Sequence, residues 1–140
     1  MSSSDTINAL KTALSVSPEN VPLRLHLASI FIDEQLFDDA ERLFKEGLEF
    51  SPGSSELLAG LANCFMTQGK NREALVIAED LDSRSVNYAH SLLYAKVLFR
   101  TGDVQQAVSV YKNMIASKPQ FKTLPDKTQF ISDSFHITKP

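Results

Sequence analysis

Chemistry in this chain of 140 residues would have to come from three histidines, one cysteine and three acidic clusters. A metal site needs ligands whose spacing lets them converge, such as two on one turn or one helix face. His26, His90 and His136 stand on separate stretches with no such spacing. A nucleophilic thiol needs a basic neighbour to hold its thiolate. Cys64 instead adjoins the apolar Leu61 and Phe65, which suits a packed thiol. The acidic runs "IDE" (32–34), "DDAE" (38–41) and "EDLD" (79–82) alternate with apolar residues at helical spacing, as on the solvated face of an amphipathic helix. No glycine-rich phosphate loop is present. The expectation is a chain that is not an enzyme, with no catalytic residue, cofactor or metal.

Bulk properties narrow the partners. A hydrophobic content of 43% is enough for one globular core, and no apolar run is long enough to cross a bilayer. The start "MSSSDTINAL" lacks the basic and apolar regions of a secretory signal, and a single cysteine cannot form an internal disulfide; a reducing, cytoplasmic setting fits best. A net charge of −3 argues against nucleic acid as the partner. Residues 1–95 carry 7 Lys/Arg against 14 Asp/Glu, whereas residues 96–140 carry 7 against 3, so the C-terminal end favours an anionic partner.

The elements that hold these residues recur. "LFDDAERLFKEGLEFSP" (36–52) has a relative in "NREALVIAEDLDS" and another in "DVQQAVSVYKNMIASKP", aligned on Ala40, Ala74 and Ala107. Upstream of each lies a second segment: Leu27, Ala28 and Phe31; Leu61, Ala62 and Phe65; Tyr94, Ala95 and Leu98. Apolar residues at i, i+3, i+4 and i+7 predict two helices per copy. Gln35-Leu36, Gly69-Lys70 and Gly102-Asp103 break them, with glycine supplying a left-handed cap and Asp103 or Asn71 capping the next helix. The paired alanines let backbones approach, and Phe31, Phe44, Phe65 and Tyr111 fill the volume beside them. A helix pair this small cannot bury its apolar face alone, so the copies must stack.

The spacing Leu27-Ala28-x-x-Phe31…Ala40-x-x-x-Phe44…Pro52 resembles the tetratricopeptide repeat, and the resemblance covers about residues 21–119. Arg24, Leu58 and Ser91 stand where that family favours Trp, and Ala78 replaces a large aromatic. The resemblance implies an all-α solenoid: repeats at 21–54, 55–87 and 88–119 in a right-handed superhelix, preceded by a lone helix at 5–16. It also implies a concave wall built from first helices. That wall would hold Leu25, His26, Ser29 and Ile32, then Asn63 and Met66, then Leu92, Lys96, Phe99 and Arg100. The carboxylate clamp by which some members hold chaperone C-termini is absent, because Leu25, Ser29, Gly60, Ala89 and Leu93 stand at its positions.

The expected function is therefore a protein-interaction module. It would take a peptide or helix with apolar anchors and an acidic segment, the latter near Lys96 and Arg100. An alternative is an N-terminal adaptor of a larger enzyme such as an AAA-type ATPase. The stretch 120–140 lacks helical periodicity yet carries Phe121, Leu124, Phe130, Ile131, Phe135 and Ile137, which suggests a linker or a tail exchanged in a homodimer.

Overall fold

The computed structural model describes residues 3–84 and 87–117. Among them are seven α-helices and no strand: α1 (Ser3–Val16), α2 (Val21–Asp33), α3 (Phe37–Phe50), α4 (Ser55–Thr67), α5 (Asn71–Arg84), α6 (Tyr88–Arg100) and α7 (Val104–Ser117). The fold is all-α, as the periodicity predicts. The expectations for 120–140, and His136 with them, lie outside the described residues.

Local signals explain where the helices begin. Asn20, Ser54 and Asn87 each stand in extended backbone before a first helix, and each side chain accepts from the backbone N–H three residues on. Pro22 sits in the first turn of α2, where its missing N–H costs nothing. At the start of α7, Asp103 Oδ1 accepts from Gln106 N at 3.2 Å, the cap expected of it. Asn71 does not act as one. It is the first residue of α5 rather than the residue before it, and its Oδ1 is buried without a hydrogen-bond partner.

The turn inside each pair has one design. In the first pair, Leu36 N donates to Phe31 O at 2.7 Å and Gln35 N to Ile32 O at 2.9 Å. Lys70 and Gly69 repeat this onto Phe65 and Met66, and Asp103 and Gly102 onto Leu98 and Phe99. This double bond pattern closes a helix through one left-handed residue. Gly69 and Gly102 occupy that position at φ +82° and +96°, but in the first pair it is Gln35, at φ +62°.

Two compact units make up the chain, residues 1–74 and 75–140, and the divide falls inside α5 rather than at a repeat boundary. In the N-terminal unit α1 packs on α2, α2 on α3, α3 on α4, and α2 reaches α4. Its core holds Leu14, Leu27, Ala28, Phe31, Ala40, Phe44, Leu57, Leu61, Ala62 and Cys64. On α1, Ala13 is exposed and only Leu14 is fully packed. In the C-terminal unit α6 packs on α7 around Ala95, Leu98, Ala107, Val110, Tyr111 and Met114. Ala28, Ala40, Ala62, Ala74, Ala95 and Ala107 have no exposed surface, the condition for close helix crossings. Phe65 and Tyr94 are half-buried.

Candidate functional site

The first-helix residues divide between the two units. In the N-terminal unit, Leu25 and Ile32 of α2 are half-buried while His26 and Ser29 are exposed. Ser29 Oγ donates to His26 O at 2.7 Å within the helix. Asn63 of α4 is exposed, but Met66 is buried, so its side chain is packed and offers little to a ligand. In the C-terminal unit, Leu92 and Phe99 of α6 lie against the apolar cluster and are only half-buried. Lys96 is half-buried, and Arg100 is exposed in the last turn of α6, where a cation suits the negative helix end. Both cations already have partners within the fold.

Burial brings two charged residues of the N-terminal unit into prominence. Arg24, 3% exposed, donates from Nη2 to Pro18 O at 2.7 Å and from Nη1 to Leu43 O at 2.9 Å. Its Nη1 also lies 3.5 Å from Glu46 Oε2. One guanidinium thus ties the α1–α2 connection to α3. The fork geometry lets it satisfy carbonyls in two directions, which a lysine could not do. Space for it comes from Gly47, where a Cβ would come within 2.5 Å of Arg24 Cδ.

Glu41 departs from the expectation that the acidic runs are solvated faces. It is buried, and its Oε2 accepts from Gln68 Nε2 at 2.7 Å and from Lys70 Nζ at 3.1 Å, with Lys45 3.5 Å from Oε1. Burial alone would raise its carboxyl, but the hydrogen bonds from Gln68 and Lys70 and the attraction of Lys70 and Lys45 outweigh it and hold the group below its ordinary 4.5. The hydrogen bond to Glu41 raises Lys70 in turn. Burial, with the nearby Glu41 carboxylate, pushes the Cys64 thiol up, which is the opposite of what a nucleophile requires. In the C-terminal unit Ser91 Oγ donates to Asp82 Oδ1 at 2.7 Å, and burial together with Glu79 raises the Tyr94 phenol. His90 Nδ1 is buried without a hydrogen-bond partner.

No cluster of three or more His, Cys, Asp or Glu could hold a metal among the described residues. No described helix is long and apolar enough to cross a membrane. Sequence reasoning missed Arg24 and Glu41. The signal for Arg24 was its place at a position that favours a large planar side chain. Glu41 had a weaker one, its position directly after the close-packed Ala40.

Residues 31–93 match the family model for the tetratricopeptide repeat. The chain is 24% identical, over an alignment of 114 residues that covers 75% of it, to cellulose synthase operon protein C of Pseudomonas fluorescens (strain SBW25). It spans 9% of that relative's length. Two crystal structures of MamA have the same fold, with TM-scores of 0.70 and 0.68 and 22% identity in each case. Each alignment covers 93% of this chain, and 75% and 70% of the respective MamA chains. The match to the tetratricopeptide repeat thus covers residues 31–93, and the all-helical fold around it is similar to that of MamA.

Proposed function

We propose that the chain is a non-catalytic protein-interaction module that holds a peptide or helix against its first helices. The observation that carries this is the match of residues 31–93 to an interaction repeat, joined to a first-helix face that the core does not consume. On that face Leu25 and Ile32 are half-buried and Ser29 and Asn63 exposed, so apolar anchors alternate with hydrogen-bonding groups. In the C-terminal unit, taken by itself, Leu92 and Phe99 of α6 are half-buried, and Lys96 and Arg100 on the same helix suit an acidic segment. A buried, unreactive thiol suits a reducing, cytoplasmic setting.

The test is titration of the chain with blocked peptides that pair apolar residues with an acidic run, followed through backbone amide shifts. Shifts should fall on α2, α4 and α6. Lys96→Glu with Arg100→Glu should weaken binding and flatten its salt dependence while leaving helical content unchanged. Equal affinity in that double variant would remove α6 from the site.

A second reading is an adaptor segment of a longer protein. It is favoured by the similarity to a small part, 9%, of a much longer relative.

A further inference from the structure

A recess of about 280 Å³ opens between α1 and α3, with α2 as its floor. Leu14, Leu27, Phe31 and Leu43 supply the apolar surface, while Lys11 on one wall and Arg42 on the other stand at its rim. The recess is separate from the first-helix face. Arg24, Leu27 and Phe31 point into it, whereas Leu25, Ser29 and Ile32 lie roughly half a turn around α2 at 3.6 residues per turn.

Its charge is unusual for its surroundings. Residues 1–74 carry 6 Lys/Arg against 11 Asp/Glu, yet three of those six cations, Lys11, Arg24 and Arg42, line this one recess. Two carboxylates line it too, and both are engaged. Glu46 turns to the buried Arg24 at 3.5 Å, and Asp39 meets Arg42 at 3.3 Å. Lys11 has no carboxylate partner among the described residues; its ammonium lies 5.7 Å from the centre of the Phe31 ring. The Arg42–Asp39 pair is a single exposed contact, and pairs of that kind are weak enough to be exchanged for a better-placed carboxylate.

We propose that this recess is a docking site for a partner peptide that inserts an apolar side chain and sets a neighbouring carboxylate between Lys11 and Arg42. The volume suits a side chain or two, not a whole helix. The apolar floor gains by losing water to an alkyl or aromatic group. The cationic rim selects an acidic residue beside that anchor and rejects a basic one. This surface is independent of the first-helix face, so either can fail without the other.

The test uses the full chain, isotope-labelled. The probes are two blocked peptides of equal length, one pairing leucines with glutamates and the other pairing leucines with lysines. Amide shifts at residues 11–18 and 39–46 with the acidic peptide alone are the expected result. Lys11→Glu with Arg42→Glu, both at exposed positions, should weaken that response about tenfold or more. Ser15→Trp, which fills the recess from its rim without changing charge, should abolish it. Lys96→Glu with Arg100→Glu should leave these shifts intact while altering any at α6. Shifts confined to α2 and α4 outside the recess, or an undiminished response in the charge-reversed chain, would overturn the proposal. So would displacement of the peptide by sodium octanoate at equal concentration, since the occupant would then be a fatty acid.

Discussion

The N-terminal and C-terminal units solve the same packing problem with different chemistry. Both bury their recurring alanines completely, in cores of large apolar side chains. The buried cluster between α6 and α7 contains no charged residue. The two buried charged side chains among the described residues, Arg24 and Glu41, both belong to the N-terminal unit. Equivalent positions make the contrast concrete. At the place where the family favours Trp, the first repeat buries an arginine that bonds two carbonyls, the second has a half-buried leucine, and the third has a serine bonded to Asp82. In the first repeat, Arg24 bonds carbonyls outside its own helix on two sides, at Pro18 and at Leu43. Such bonds stabilise one register of α1, α2 and α3 and leave a steep penalty when one partner is removed.

The largest expected effect follows from that asymmetry. Arg24→Ala leaves Pro18 O and Leu43 O without their donor and opens a void against Gly47, so it should cost about 3 kcal/mol or more. Ser91→Ala removes one part-buried hydroxyl bond and should cost about 1 kcal/mol. Urea titrations of the two variants against the parent compare them directly. Equal losses would mean that the arginine is no more structural than the serine. Gly47→Ala approaches the same contact from the other side. The added methyl meets Arg24 Cδ and lies 3.0 Å from Leu57 Cδ1, and overpacking of this kind costs about 1–3 kcal/mol, more than the gain in helix propensity. In an Arg24→Ala background that cost should shrink, because the clashing side chain is gone.

How much of this was legible depended on whether a residue's role was periodic. Ala40, Ala74 and Ala107 stand out because they recur at one spacing, and the second helix of each pair begins directly after the break at Gln35-Leu36, Gly69-Lys70 or Gly102-Asp103. Arg24 and Glu41 were not legible, because each does its work once. A lone arginine in an apolar segment does not reveal which carbonyls it reaches, since Pro18 and Leu43 come near it only after folding. Glu41 sits in an acidic run whose other members are more exposed, and its partners Gln68 and Lys70 belong to the next repeat. The groove residues were legible as a helical face, but not in their burial: Met66 shares a face with Asn63 in sequence and is packed in the structure.

Glu41 also gives the N-terminal unit a pH dependence on the acid side. Its carboxyl is held below 4.5 in the folded chain, so the charged form contributes stability that is fully present above that ordinary value. The contribution is lost as pH falls through the lower, folded value. Glu41→Gln keeps the shape and removes the charge. It should cost about 1 kcal/mol at neutral pH, and the difference from the parent should close on acidification. A difference that is constant with pH would show that Gln68 and Lys70 recognise the shape of the side chain and not its charge.

The smallest expected effect is a gain, and it concerns the turns. The three turns share their hydrogen bonds but not their left-handed residue: Gly69 and Gly102 take φ +82° and +96° freely, whereas Gln35 holds φ +62° with a side chain attached. A left-handed backbone costs a residue with a Cβ about 1 kcal/mol or more relative to glycine. Gln35→Gly relieves that strain but also loosens the unfolded chain, which takes back part of the gain. The net should be a stabilisation of about 0.5–1 kcal/mol. Gly102→Ala, in a turn with the same bonds and open space around the position, should lose about 1 kcal/mol through backbone strain alone. Paired thermal melts read both. Opposite signs would show that the first turn carries a cost its counterparts avoid. If Gln35→Gly is neutral or destabilising instead, the glutamine side chain makes up for its backbone, and the difference between the turns lies in what surrounds Gln35 rather than in its φ.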